Sequence, residues 1–257
     1  MDWTKRTHDP LNEEVRADVI DYLLAARTPL PKNFHHIGYD DYEGFLMDSV
    51  AGKTVLDIGI CEHTQERMDS PKWKHRMIKN CAAHVTGVDI IEDLVTRLKS
   101  EGYDARLCDA TSETDLGERY DVVHVGDVIE HVDSPVNLLK FAARHLKPDG
   151  KIIARTPNPY CYSYIWGMLK NGTDKSNLEH MFYVCPTHAL EIGRRAGLKL
   201  NKYYVENKQG VSKFPLVRLA RTALRFVKFG FLPDELFTTI FVYEFVRAKE
   251  TSENKAA

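Results

Sequence analysis

Asp127-Val-Ile-Glu130-His131 sets two carboxylates and an imidazole within five residues, and a second imidazole, His180, follows in Asn-Leu-Glu-His-Met-Phe. Carboxylates beside imidazoles can take a proton from a hydroxyl, and the same donors suit a divalent ion such as Mg²⁺ or Mn²⁺. On the first turn of a helix, positions 127, 130 and 131 would share a face. A second set of acids lies upstream: Asp57 and Gly59 in VLDIG, Asp89 in GVDI, Asp109 in LCDAT, then Gly126-Asp127 in HVGD. A carboxylate placed like Asp89 can accept hydrogen bonds from both hydroxyls of a ribose, and one placed like Asp109 can meet the exocyclic amine of an adenine. Any one of these acids, taken singly, reads better as a helix N-cap. Four at successive strand ends point to a nucleoside ligand.

The elements that must position them alternate along the middle of the chain. TVLDIG (54–59), HVTGVDI (84–90), DARLCDA (104–110), YDVVHVGD (120–127) and GKIIARTP (150–157) read as strands, apolar on both faces as buried parallel strands are. EDLVTRLKSEG (92–102), SPVNLLKFAARHLKPDG (134–150) and PTHALEIGRRAG (186–197) read as helices, the second stopped by Pro-Asp-Gly. Two further strands, 198–207 and 236–248, lack a crossover between them and are expected to pair antiparallel. The fold class is therefore α/β: a Rossmann-like, doubly wound, seven-stranded sheet with a reversed final β-hairpin. Ligands of such sheets bind outside the carboxyl ends of the strands, where the acids above fall. Residues 1–50 are expected as an N-terminal helical cap and 51–250 as the main domain, with lid insertions at 158–182 and 208–235. A polar tail occupies 251–257.

Composition narrows the class. The 257 residues are 43% hydrophobic and 28% charged, with a formal charge of −2, so the chain is not a globally basic nucleic-acid binder. Five cysteines, odd in number and without a C-x-x-C pair, suit reduced thiols. MDWTKRTHDPLNEEVR has no apolar signal core, and no run approaches the roughly 18 apolar residues of a membrane span. A soluble, cytoplasmic protein is expected.

The segments VLDIG, GVDI, LCDAT, YDVVHVGDVIEHVDSP, LKPDGKIIARTPNP and EHMFYVCPTHALEIGRRAGL together resemble the class I S-adenosylmethionine-dependent methyltransferases over roughly residues 50–206. The resemblance implies S-adenosylmethionine as cofactor, with Asp57 and Gly59 beside its methionine end, Asp89 and Ile90 at the ribose and Asp109 and Ala110 at the adenine. Gly126 and Asp127 would complete the site. The family pattern D-x-G-x-G-x-G is reduced here to Asp57-Ile-Gly59-Ile-Cys61-Glu62-His63, and QERMDSPKWKHRMIKN lengthens the stretch before Asp89. A sulfonium cofactor has no pyrophosphate to cradle, so this reads as a modified cofactor loop with Glu62 and His63 near the ligand. A dinucleotide dehydrogenase is disfavoured.

The DVIEH segment resembles those of ubiquinone-pathway O-methyltransferases and small-RNA 2′-O-methyltransferases, in which the equivalent positions hold a divalent metal. That implies Asp127, Glu130, His131 and His180 as ligands of Mg or Mn. A metal-free reading, with His131 or His180 as base and Glu130 beside it, stays open, as does plain capping and packing. No N-P-P-Y-type turn follows the fourth strand, which shifts the acceptor toward oxygen. The acceptor is expected to be a small molecule, sugar or lipid-linked glycan, phosphorylated carriers included. RNA 2′-hydroxyl methylation is the alternative within the class, weakened by the neutral charge, and a catalytically inactive binding protein is the alternative outside it. Tyr160, Tyr162, Tyr164 and Trp166 could stack on a sugar or apolar ring, or simply bury against the domain. Residues 213–229 form an amphipathic pattern with Arg218, Arg221, Arg225 and Lys228 on one face, which suits an anionic substrate or peripheral membrane contact but is more commonly a solvated basic face over a packed apolar one.

Overall fold

The computed structural model describes residues 13–32, 40–62, 65–173, 177–205 and 233–248. His63 and the basic stretch 213–229 lie outside them. In chain order the elements are α1 (Glu13–Ala26), β1 (Arg27–Pro29), α2 (Asp41–Val50), β2 (Thr54–Ile58), α3 (Gln65–Asp69), α4 (Lys74–Cys81), β3 (His84–Asp89), α5 (Glu92–Ser100) and β4 (Ala105–Leu107). There follow β5 (Tyr120–Gly126), α6 (Pro135–Arg144), β6 (Leu146–Pro157), α7 (Tyr162–Asn171), α8 (Pro186–Arg195), β7 (Leu198–Val205), a 3₁₀ turn (Asp234–Phe237) and β8 (Ile240–Arg247).

All seven expected strands form, and the three-residue β1 extends the edge, giving the order β1-β7-β8-β6-β5-β2-β3-β4. Every pairing is parallel except those of β8, which runs antiparallel to both β6 and β7. Alternate residues of one strand feed opposite layers: Leu56 and Ile58 pack with α6 side chains such as Leu138, Leu139 and Phe141, whereas Val55 packs with Leu46 of α2 and Ile78 of α4. Side chains this completely buried contribute about 1.5–3 kcal/mol each. Among the described residues no helix is long and apolar enough to cross a membrane.

Three local readings change. Pro148-Asp149-Gly150 does not stop a helix; α6 ends at Arg144 and this tripeptide lies inside β6, where the register against β5 shifts between Tyr120 and Val122. The stretch read as an insertion, QERMDSPKWKHRMIKN, is the crossover itself and supplies α3 and α4. DVIEH is a turn rather than the start of a helix: His131 N–H bonds Val128 O at 2.9 Å, and α6 begins only at Pro135, capped by Ser134 Oγ. The reason is Asp127, which leaves β5 at φ 55°, a left-handed conformation that blocks helical propagation.

Candidate active site

The carboxyl ends of β2, β3 and β5 surround a cavity of about 570 Å³. Of the expected cofactor residues, Asp57, Gly59, Asp89, Ile90, Asp109, Ala110, Gly126 and Asp127 all line it, and so do Glu130, His131 and His180. A larger cavity of about 690 Å³ opens at the opposite edge of the sheet, near Lys53 and Asp121, but its Lys147 and Lys151 are already paired with Asp121 and Glu244.

The loop after β2 dispenses with extra glycines because side chains from elsewhere satisfy its backbone. Trp73 Nε1 donates to Ile60 O at 2.8 Å, and Cys61 N–H donates to Asp89 Oδ2 at 2.8 Å. Asp89 Oδ1 accepts from Ile91 N–H at 3.1 Å, so Asp89 pins two loops while it borders the cavity. Gly59 remains obligatory: at φ 78°, a Cβ there would sit 2.2 Å from Val128 Cγ2. Asp109 Oδ1 accepts from both Thr111 N–H and Thr111 Oγ1, while its Oδ2 has no partner among the described residues.

Asp57 does more than flank a ligand. Its carboxylate, 2% exposed, accepts from His124 Nδ1 at 2.6 Å and from His75 Nδ1 at 2.8 Å. Burial alone would raise this carboxyl; the two imidazoles overcome it and hold the group at about 2. Tyr42 Oη lies 2.8 Å from His124 Nε2, extending the network to α2. Tyr42, His75 and His124 were not singled out from the sequence. The one available signal is a polar His124 inside the otherwise apolar run VVHV (122–125).

Elsewhere on the cavity wall, the structure brings three of the four expected metal residues together. One ligand atom each from Glu130, His131 and His180 lies within 4.8 Å of the others. The rings of His131 and His180 stand edge to face, 4.8 Å between centroids, and Met181 N–H bonds Glu130 O at 2.8 Å, drawing the His180 segment onto the turn. Asp127 is not in this group; its carboxylate pairs with Arg155, whose guanidinium also lies 5.0 Å over the Tyr42 ring. Glu130 is fully buried. Its Oε2 accepts from Thr156 Oγ1 at 3.1 Å and its Oε1 has no partner among the described residues. Burial, reinforced by the Asp127 charge, pushes the Glu130 carboxyl up to about 7. Donors on one ion at about 2.1 Å stand roughly 3–4 Å apart, so small side-chain shifts would close the three onto a cation. The partnerless Oε1 and the carboxylate–imidazole chemistry fit a divalent metal.

Beyond this cluster α7 buries none of its residues, leaving Tyr162, Trp166, Met168 and Leu169 exposed. Of the aromatic residues singled out from the sequence, Trp166 is the most exposed, whereas Tyr160 and Tyr164 lie against Phe241 and Tyr183.

A mainly parallel sheet whose last strand in the chain is reversed, with acids around its carboxyl edge, is the arrangement of a nucleoside-binding α/β fold. Residues 44–203 match the family described as "Methyltransferase domain". The chain is 24% identical over 185 residues to a ubiquinone biosynthesis O-methyltransferase of Hydrogenovibrio crunogenus, covering 67% of this chain and 71% of that one. It is 28% identical over 185 residues to the protein of the same name in Aeromonas salmonicida, covering 64% and 68%. The CcbJ methyltransferase of Streptomyces caelestis shares the fold, with a TM-score of 0.53 at 14% identity, over 80% of this chain and 88% of that one. The chain belongs to the methyltransferase domain family and is a class I S-adenosylmethionine-dependent methyltransferase.

Proposed function

We propose that this enzyme methylates a hydroxyl group of a small molecule, sugar or lipid-linked glycan, with Glu130, His131 and His180 handling the acceptor oxygen. The observation that carries the reading is the convergence of those three side chains on the wall of the cofactor cavity. Relatives named as O-methyltransferases of ubiquinone biosynthesis support an oxygen acceptor.

Bound S-adenosylmethionine supplies a methyl group on a sulfonium, which an acceptor displaces in line. The chain's own contributions follow from its geometry. Asp89 and Asp109 hold the nucleoside, and Gly59 lets the backbone approach it. Thr156 fixes one oxygen of Glu130 and leaves the other to face the acceptor or an ion. His131 and His180 complete the set that takes the hydroxyl proton or orients the oxygen. A divalent ion held by Glu130, His131 and His180 would acidify the acceptor hydroxyl. Tyr162 and Trp166 offer apolar faces to the rest of the acceptor, and residues 213–229 are assigned to an anionic or lipid-bearing part of it on sequence pattern alone.

The test is a panel of catechols, prenylated phenols, sugars and phosphorylated glycans incubated with S-adenosylmethionine and followed by mass spectrometry. A gain of one methyl on an oxygen, reduced by chelation and restored by Mg²⁺ or Mn²⁺, is expected. Methylation confined to nitrogen acceptors would overturn the reading.

A further inference from the structure

Helix α4 reaches back under the cofactor loop and places His75 against Asp57. The ring fits only because position 87 is glycine: a Cβ there would lie 2.7 Å from His75 Cε1. Trp73 packs on the imidazole, with 5.3 Å between ring centroids.

Proton placement in this network is determined by its acceptor. Asp57 is ionised across the neutral range, so the Nδ1 atoms of both His75 and His124 carry hydrogens and donate to it. A neutral imidazole protonated on Nδ1 presents a bare acceptor at Nε2. In His124 that acceptor receives the Tyr42 hydroxyl. In His75, which is 1% exposed, Nε2 is buried and has no partner among the described residues, although the residue lines the cavity.

Charge points the same way. Asp57 brings a negative charge into this buried setting, and a cation arriving beside its network would offset part of the cost. The neighbouring cations Lys74 and Arg155 are matched to Glu43 and Asp127. A group that meets a bare His75 Nε2 must be a hydrogen-bond donor, and the Asp57 charge favours a positive one. The methionine end of S-adenosylmethionine carries such a group.

We propose that His75 is a specificity residue for the amino-acid end of the cofactor, its Nε2 accepting a hydrogen bond from the α-ammonium. α4 thereby supplies, through a side chain, part of the recognition that the glycine-poor loop lacks. The inference rests on the cofactor of the family and is independent of which acceptor is methylated.

Calorimetric titration of two ligands separates this role from a structural one. S-adenosylhomocysteine carries the amino-acid end; 5′-methylthioadenosine shares the adenosine and thioether but lacks it. His75→Phe keeps the ring and removes both nitrogens, and is expected to weaken S-adenosylhomocysteine about tenfold or more, as loss of a hydrogen bond to a charged group does. Its affinity for 5′-methylthioadenosine should stay within about twofold. His75→Gln, whose amide reaches the Nε2 position, should recover part of the loss. Equal weakening of both ligands, or none for S-adenosylhomocysteine, would overturn the proposal. Should the phenylalanine variant fail to fold, ¹⁵N spectra of histidine-labelled wild-type protein read the same atom. The His75 Nε2 resonance should move with S-adenosylhomocysteine and stay put with 5′-methylthioadenosine; the same response to both would overturn it.

Discussion

Asp57 and Asp89 each receive two hydrogen bonds, from imidazoles in one case and from backbone amides in the other. Glu130, on the wall of the same cavity, receives one from Thr156 and keeps an oxygen without a partner among the described residues. The carboxylates of the first pair are satisfied by the fold itself before any ligand binds, although His75 Nε2 beside Asp57 has no partner among the described residues. The second site is held incomplete, at a cost in desolvation, until an acceptor or ion completes it. On the proposed reading, stability and cofactor recognition therefore concentrate around Asp57 and Asp89, and acceptor chemistry around Glu130.

Removing charge at Asp57 should damage the fold most. Asp57→Asn cannot accept from both Nδ1–H groups with its amide nitrogen, and the expected loss is about 2–4 kcal/mol. In a chain of this size each kcal/mol lowers Tm by about 2–4 °C, which differential scanning calorimetry resolves. The same contribution is pH-dependent. Because the folded carboxyl lies at about 2, below its unfolded value of about 3.9, the stability is present above the unfolded value. It is lost as pH falls through about 2. The wild-type protein should therefore lose more stability than the Asn variant between about pH 4 and about pH 2. Parallel acid-unfolding curves would mean that the imidazoles do not hold the charge.

A smaller effect on stability and a direct one on binding is expected at Asp89. Asp89→Ala should weaken S-adenosylhomocysteine about 10–100-fold, the range for losing charge-assisted bonds, with circular dichroism unchanged. Unaltered affinity by calorimetry would mean that Asp89 serves only the two backbone amides it already binds.

The strands and the ring of acids were legible because both signals are local. Buried parallel strands are continuous apolar runs, and Asp89 or Asp109 marks where each run ends. The contacts around Asp57 were not legible: its partners His75 and His124 lie 18 and 67 residues away, and Tyr42 reaches His124 across 82. Nothing in the local pattern distinguishes such histidines from ordinary core residues. The turn at Asp127 was missed for a related reason, since its left-handed backbone is held by Arg155, 28 residues on in the next strand. α7 has the periodicity of a core helix, and only the tertiary arrangement leaves Trp166 at 65% exposure.

The division between the two sites is tested most directly by Glu130→Gln and His180→Ala, measured for both turnover and affinity. With an acceptor found by the mass screen, each substitution should lower kcat by about 10²–10⁴-fold, the span expected for losing a group that handles the acceptor proton. The dissociation constant for S-adenosylhomocysteine should stay within about twofold. Cofactor affinity falling in step with kcat, or kcat surviving both substitutions, would contradict the account.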